Sequence, residues 1–326
     1  MKRVFTSIVS LTALLLVTMV CAISLLRDYR RPLPPLDAPF APTPASIRVE
    51  AVARNSEPAE RKIIESSFAV ATICGISSVS ADHYEARNDA LRSIARNCKL
   101  SQSDLSALLA YVASTNDVLR IERTAALKND VLNLLRNQEK PVDGLAELLI
   151  DMCHSSEHPA EVVDYCIQHL GDLHNAASDA KQRAAVYTTL VEAARKRHID
   201  YSGTALYAIM QSDALTPSQE AELKRLTLDI CKPDANQNAR IAAIQVAGEK
   251  QYREVLPTLR DALANQRSDA VVEIVSIGTI GLLGDESDIP LLESVLQRNR
   301  RRYEVGVNAA IKRIKDRKAD YNVGKQ

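Results

Sequence analysis

The sequence predicts an all-α protein, a solenoid of stacked antiparallel helix hairpins preceded by an N-terminal hydrophobic helix. Three observations carry that expectation. Aromatic residues are only 4% of the chain, with no Trp and three Phe, and Ala and Leu dominate the apolar set. Helices accept that composition, whereas strands favour β-branched and aromatic side chains. From residue 57 onward the pattern reads helix, short turn, helix. One stretch also repeats itself at a period of 33 residues, and a period in that range with two helices per unit means stacked hairpins.

The individual helices follow from spacing and from their ends. Leu105, Leu108, Leu109 and Val112 fall at i, i+3, i+4 and i+7, and Val131, Leu134 and Leu135 mark a second such stripe. Pro58 opens a helix after Asn55 and Ser56. Thr216-Pro217-Ser218-Gln219 combines an N-cap, a first-turn proline and a capping-box glutamine. Pro159 and Pro290 are expected in first turns, where a missing N–H costs nothing. In all, about fourteen helical segments are expected, joined mostly by connections of fewer than about eight residues.

The repeat is read by pairing Ile241 with Ile274, Ile244 with Ile277, Gly248 with Gly281, Pro257 with Pro290, Leu259 with Leu292 and Leu263 with Leu296. A partial third copy follows at Val307, Ala310, Ile311 and Ile314. These residues resemble the HEAT family, in particular its short phycobilisome-lyase-type repeats. Val255-Leu-Pro-Thr-Leu and Ile289-Pro-Leu-Leu match the Pro-Leu-Leu motif of that family's first helix. Asp234 with Ala239-Arg240-Ile-Ala-Ala matches the start of its second helix. Val272-Glu273 departs from the motif, with an acid where Arg is usual, and the third copy has Tyr303-Glu304-Val305. The clear resemblance covers residues 234–316, and residues 57–233 are expected to be a divergent helical region of the same kind. The resemblance implies a protein-interaction scaffold whose second helices, at about 238–249, 270–282 and 303–316, line a concave binding face.

The N-terminal region is a separate object. Lys2 and Arg3 precede an uncharged stretch from Val4 to Leu26, and Arg27, Arg30 and Arg31 close it. At 23 residues it exceeds the roughly 7–15 of a signal-peptide core and reaches the roughly 20 of a membrane span. Residues 1–31 are therefore expected to be a signal anchor contacting the membrane through residues 4–26, with the body outside the cytoplasm. Secretion after cleavage at Ala22 or Ser24 is the alternative. Six prolines in residues 32–45 make residues 32–56 a semi-rigid linker, and residues 319–326 are expected to be a tail.

Chemistry is sparse. Lys and Arg total 41 and so do Asp and Glu, giving no global argument for nucleic acid. No nucleotide-binding glycine loop or Gly-x-Ser-x-Gly occurs, no cofactor is expected, and catalysis is not the leading expectation. Cys153, His154, His158, Cys166, His169 and His174 fall close together, and His154, His158, Cys166 and His169 are candidate metal ligands because Cys and His suit zinc. No CxxC or HExxH spacing supports them. Deoxyhypusine hydroxylase, a HEAT protein whose di-iron site resembles repeated His-Glu dipeptides, is not matched, because no His-Glu dipeptide occurs. Residues 298–318 carry nine basic and two acidic residues, and Arg298, Arg300, Arg301 and Arg302 are candidate binding residues for an acidic partner. The alternatives to a scaffold are a metal-binding or lyase-like enzyme and a structural envelope component. For the cysteines, a Cys74–Cys98 bridge is not expected, since opposite helix ends lie on the order of 20 Å apart, and buried free thiols are.

Overall fold

The computed structural model describes residues 67–75, 84–97, 100–117, 119, 121–213, 215–265 and 269–323, within the compact unit Val52–Gln326. The apolar N-terminal segment, the Pro-rich linker, Pro58, Cys21 and Cys98 lie outside the described residues. Residues 67–73 are helical, and thirteen α-helices follow, with no strand among the described residues.

They are α1 Tyr84–Asn97, α2 Gln102–Ala113, α3 Ile121–Arg136, α4 Leu145–His154, α5 Ala160–Ala176, α6 Ala180–Arg195 and α7 Tyr201–Met210. After these come α8 Pro217–Ile230, α9 Gln237–Glu249, α10 Leu256–Ala264, α11 Ala270–Leu283, α12 Ile289–Arg298 and α13 Arg300–Val323. Single 3-10 turns, Arg253–Val255 and Glu286–Asp288, lead into α10 and α12. Among the described residues no helix is long and apolar enough to cross a membrane.

Local chemistry sets the helix ends. Thr216 caps α8 in the expected capping box with Gln219, and Pro217 takes the first position. Ser101 and Asp104 form a second box at α2. Pro159 occupies the N-cap itself, just before the first turn of α5. Pro257 and Pro290 lie in the first turns of α10 and α12. Gly75 ends the first helical piece at φ +70°, a left-handed conformation that glycine adopts without penalty. Past residue 318, where a tail is expected, α13 runs on to Val323, because no Gly or Pro interrupts the chain before Gly324.

Contacts sort the helices into two layers. The odd-numbered helices α1 to α13 each pack on the next odd one, and α2, α4 and α6, like α10 and α12, pack in sequence alongside. Each even helix also packs against the odd helix that follows it in the chain. The stack runs without a break through residue 234, so α7 packs on α9 just as α9 packs on α11. The buried apolar residues form one continuous core along the stack, from Ala69 to Ile314. Repeated units each bury an apolar face on their neighbours, so stability accumulates interface by interface.

The odd layer is drawn tight by glycine. A Cβ built on Gly171 of α5 would stand 2.8 Å from the Cβ of Ala208 on α7. One on Gly203 of α7 would stand 2.9 Å from the Cα of Ala239 on α9, and one on Gly281 of α11 would stand 2.7 Å from the Cα of Ala310 on α13. These helices meet backbone to backbone, closer than any larger side chain permits.

At the N-terminal end the described core includes a charged network. Arg87 on α1, only 1% exposed, donates through Nε to the Ile73 carbonyl at 2.7 Å and pairs with both oxygens of Asp117 at 2.8 and 2.9 Å. Tyr111 donates to Asp117 at 3.0 Å and lies under the Arg87 guanidinium. Lys128 donates to the Val112 carbonyl at 2.9 Å. A buried charge persists only when paired and hydrogen-bonded, and here it is.

Candidate functional site

The most distinctive surface lies on α11. Its sequence, AVVEIVSIGTIGLL, is apolar nearly all round, a pattern usual for a helix covered on every side. Its one charged residue, Glu273, is buried. Val272, Ser276, Ile277, Thr279, Ile280 and Leu283 are buried among the neighbouring helices. The remaining side carries Val271, Ile274 and Leu282, which are 47%, 43% and 40% exposed. Between them a Cβ on Gly278 would meet nothing within 4 Å, which leaves a shallow furrow.

Both neighbours extend this strip. On α13, Val305 is 86% exposed, the highest of the large apolar side chains described, and Gly306 and Ala309 are exposed near it. On α9, Ile241 and Ala242 are half-buried at the matching positions. The strip thus crosses three parallel members of the odd layer, the helices that the repeat pattern expects to carry the binding face.

The structure divides the C-terminal basic group by role. Arg298 donates to the Leu263 carbonyl at 2.8 Å, closing the C-terminal end of α10. Arg317 does the same for α11, reaching the Gly281 carbonyl at 2.7 Å and the Gly284 carbonyl at 2.8 Å. Both satisfy carbonyls that a helix end leaves open. Arg300 pairs with Glu304 one turn on, at 2.8 Å. Arg301, Arg302, Lys312 and Arg313 are exposed on α13 and leave the strip bordered by positive charge. Of the expected binding residues, then, Arg301 is exposed, Arg302 is exposed with its side chain hydrogen-bonded to Tyr303, Arg298 is a helix cap and Arg300 an intrahelical partner.

Sequence reasoning missed Glu273 and Tyr303. Both are buried, and the Tyr303 hydroxyl donates to the Glu273 carboxylate. The acid that departs from the repeat motif, where Arg240 stands two helices earlier, is answered by a tyrosine on the next odd helix. The two departures were visible, but their pairing needed the register between α11 and α13.

The Cys/His cluster does not converge. His154, at the end of α4, is exposed and meets Glu192 of α6 at 3.1 Å. His169 on α5 is buried with Nε2 3.0 Å from Asn129 of α3, and burial lowers its pKa to about 4 with Arg136 adding to the effect. Burial also lowers His158 and His174. Cys166 meets Cys153 across the α4–α5 hairpin. Among the described residues no three His, Cys, Asp or Glu side chains are placed to hold a metal ion.

Two open grooves also mark the surface of the described residues. One of about 1130 Å³ runs between α1, α2 and α3 over Leu91 and Leu134, edged by Asn88, Asn133 and Asp130. Burial raises the Asp130 pKa against the pull of Arg92. The other, about 540 Å³, lies between α6 and α8. There Glu222 is held at about 2, chiefly by its hydrogen bonds with Arg225 and then with Arg195, so the charges of that groove already satisfy one another.

Residues 225–309 match a family model described as HEAT repeats. No curated protein sequence matches the chain. A solved structure of human deoxyhypusine hydroxylase in complex with glycerol is similar over 79% of this chain and 98% of that one, with 11% identity and a TM-score of 0.31. The segment from the second half of α8 to the middle of α13 is therefore built of HEAT repeats.

Proposed function

We propose that this chain is a protein-binding scaffold and that its docking face is the outward side of α9, α11 and α13. The observation that carries the reading is the uncharged, exposed side of α11, Val271, Ile274, Gly278 and Leu282, continued by Val305. Contiguous exposed apolar surface on a soluble helical array marks an interaction site. Exposed Arg301, Arg302, Lys312 and Arg313 beside it favour a partner that brings an apolar segment flanked by Asp or Glu. Such a segment would set a few apolar anchors into the strip, and the affinity would rest on those anchors rather than on total area.

The uncharged stretch Val4–Leu26 supports a second element of the reading, a membrane tether that presents the scaffold outside the cytoplasm. Membrane fractionation with alkaline extraction tests it, since a cleaved and secreted chain would leave the pellet.

The docking face is tested by crosslinking the full chain in its native membrane and comparing it with the double variant Ile274→Glu/Leu282→Glu. The expected result is one stoichiometric crosslinked protein that the variant loses, that weakens as salt is raised, and whose crosslinks map to α11 and α13. The variant should keep its helical circular dichroism, because both side chains face solvent. A partner retained in full by the folded variant overturns the assignment of this face.

A further inference from the structure

We propose that the partner meets this face as an α-helix that crosses α11 at Gly278 and sets an alanine or another small residue against it, an inference that rests on the docking face proposed above. Among the described residues six glycines stand inside helices of the odd layer, and five of them meet a neighbouring odd helix within 4 Å. The three tightest, Gly171, Gly203 and Gly281, each lie against alanine: Ala208, Ala239 with Ala242, and Ala310. A glycine inside a helix costs stability relative to alanine, and at those three positions the close packing it permits offsets the cost. Gly278 carries the same cost with nothing within 4 Å to offset it.

The internal repeat supplies the comparison. At the 33-residue period, Val271, Ile274, Gly278 and Leu282 of α11 correspond to Asn238, Ile241, Gln245 and Glu249 of α9. Three of these four positions are polar on α9, where Asn238 and Glu249 are exposed, and none is polar on α11. Ile274, Gly278 and Leu282 follow one another at i, i+4 and i+8. Two exposed apolar side chains therefore flank a notch, on positions about 12 Å apart along the axis.

The chemistry of the strip selects the shape of its occupant. Val271, Ile274, Gly278 and Leu282 offer no side-chain donor or acceptor. An extended segment buried on them would leave backbone N–H and C=O groups unpaired, whereas a helix satisfies its own. Arg301, Arg302, Lys312 and Arg313 on α13 favour Asp or Glu along one flank of that helix. A second copy of this face would bring a basic border in place of the acidic flank, so the occupant is a different protein.

The test places the photoreactive residue benzoylphenylalanine at Val271 of the full chain in its native membrane and compares crosslink yield with urea stability. Gly278→Ala should raise the urea midpoint and yet lower the yield about tenfold, since an added methyl overpacks the crossing. Gly278→Leu should abolish the crosslink while keeping helical circular dichroism. A glycine with a structural role alone would move stability without this opposite change in capture. The crosslinked partner segment, made as a synthetic peptide, should gain helical circular dichroism on binding the full chain, and its small residue changed to Leu should prevent binding. Full capture by Gly278→Leu overturns the crossing point, and the docking face still stands if Ile274→Glu/Leu282→Glu loses the partner. Capture kept by every variant, or no partner crosslinked to the chain with Gly278 unaltered, overturns both. A bound segment that stays non-helical overturns the helix.

Discussion

Gly281 of α11 and Ala310 of α13 touch backbone to backbone, with only 2.7 Å between a Cβ built on the glycine and the Cα of the alanine. Three features meet at this point: the 33-residue repeat that pairs Gly281 with Gly248, the close approach of the odd helices, and the proposed docking strip on their outward side. The first prediction is a contrast within one helix. Gly281→Ala gains helix propensity but overpacks the contact, and should destabilise by about 1–3 kcal/mol. Gly278→Ala, three residues earlier and facing open space, should stabilise by about 0.5–1 kcal/mol. Urea denaturation of both variants checks it, and equal shifts of the same sign would remove the close-contact argument.

Tyr303 and Glu273 supply the second prediction. Tyr303→Phe removes a hydroxyl donor and leaves a buried carboxylate short of a partner, which should cost about 1–3 kcal/mol. The double variant Tyr303→Phe/Glu273→Leu removes both polar groups and should recover most of that loss. Thermal unfolding of the two singles and the double forms a closed cycle. If the double variant is as unstable as the sum of the singles, the two side chains do not act as a pair.

What the sequence made legible was local. The Thr216–Gln219 capping box, the prolines in the first turns of α10 and α12, and the stripes on α2 and α3 stand where spacing and cap chemistry put them. The HEAT repeats were legible because Gly248, Gly281 and the proline pair recur at one offset. Helices α1 to α8 could not be aligned, since their packing rests on particular solutions such as the Arg87–Asp117–Tyr111 network rather than on a recurring motif. A signal was present in Gly171 and Gly203, which make the same kind of close contact 32 residues apart. The Cys/His cluster spreads out for a geometric reason. Closeness along a helical hairpin does not say which way a side chain leaves it, and His154, Cys166 and His169 reach α6, α4 and α3 respectively.

Asp117 gives the third prediction. The hydrogen bonds from Arg87, the Leu119 N–H and Tyr111 hold its carboxyl below the usual carboxylate range against the opposing effect of burial. Asp117→Ala removes the carboxylate that both guanidinium nitrogens of buried Arg87 grip and should destabilise by about 3–5 kcal/mol. The damage should be local in a stack whose stability adds by neighbours. Hydrogen exchange should therefore speed most in α1 to α3 and least in α11 to α13. Uniform acceleration along the chain would argue against that segmental behaviour.

The last prediction concerns acid. His169 is 4% exposed, and burial holds its pKa at about 4, with the positive charge of Arg136 adding to the effect. In an unfolded chain the imidazole titrates near 6.5. Between those two values the unfolded state takes up a proton that the folded state refuses. Its contribution is therefore complete above about pH 6.5 and is lost as pH falls toward about 4, by up to about 3 kcal/mol. Burial lowers His158 and His174 in the same direction, so they steepen the fall. His169→Gln keeps an amide beside Asn129 but cannot titrate. Urea midpoints at pH 7 and pH 4.5 should differ widely in the unaltered chain and by distinctly less in that variant. An unchanged difference would assign the acid sensitivity to groups other than His169.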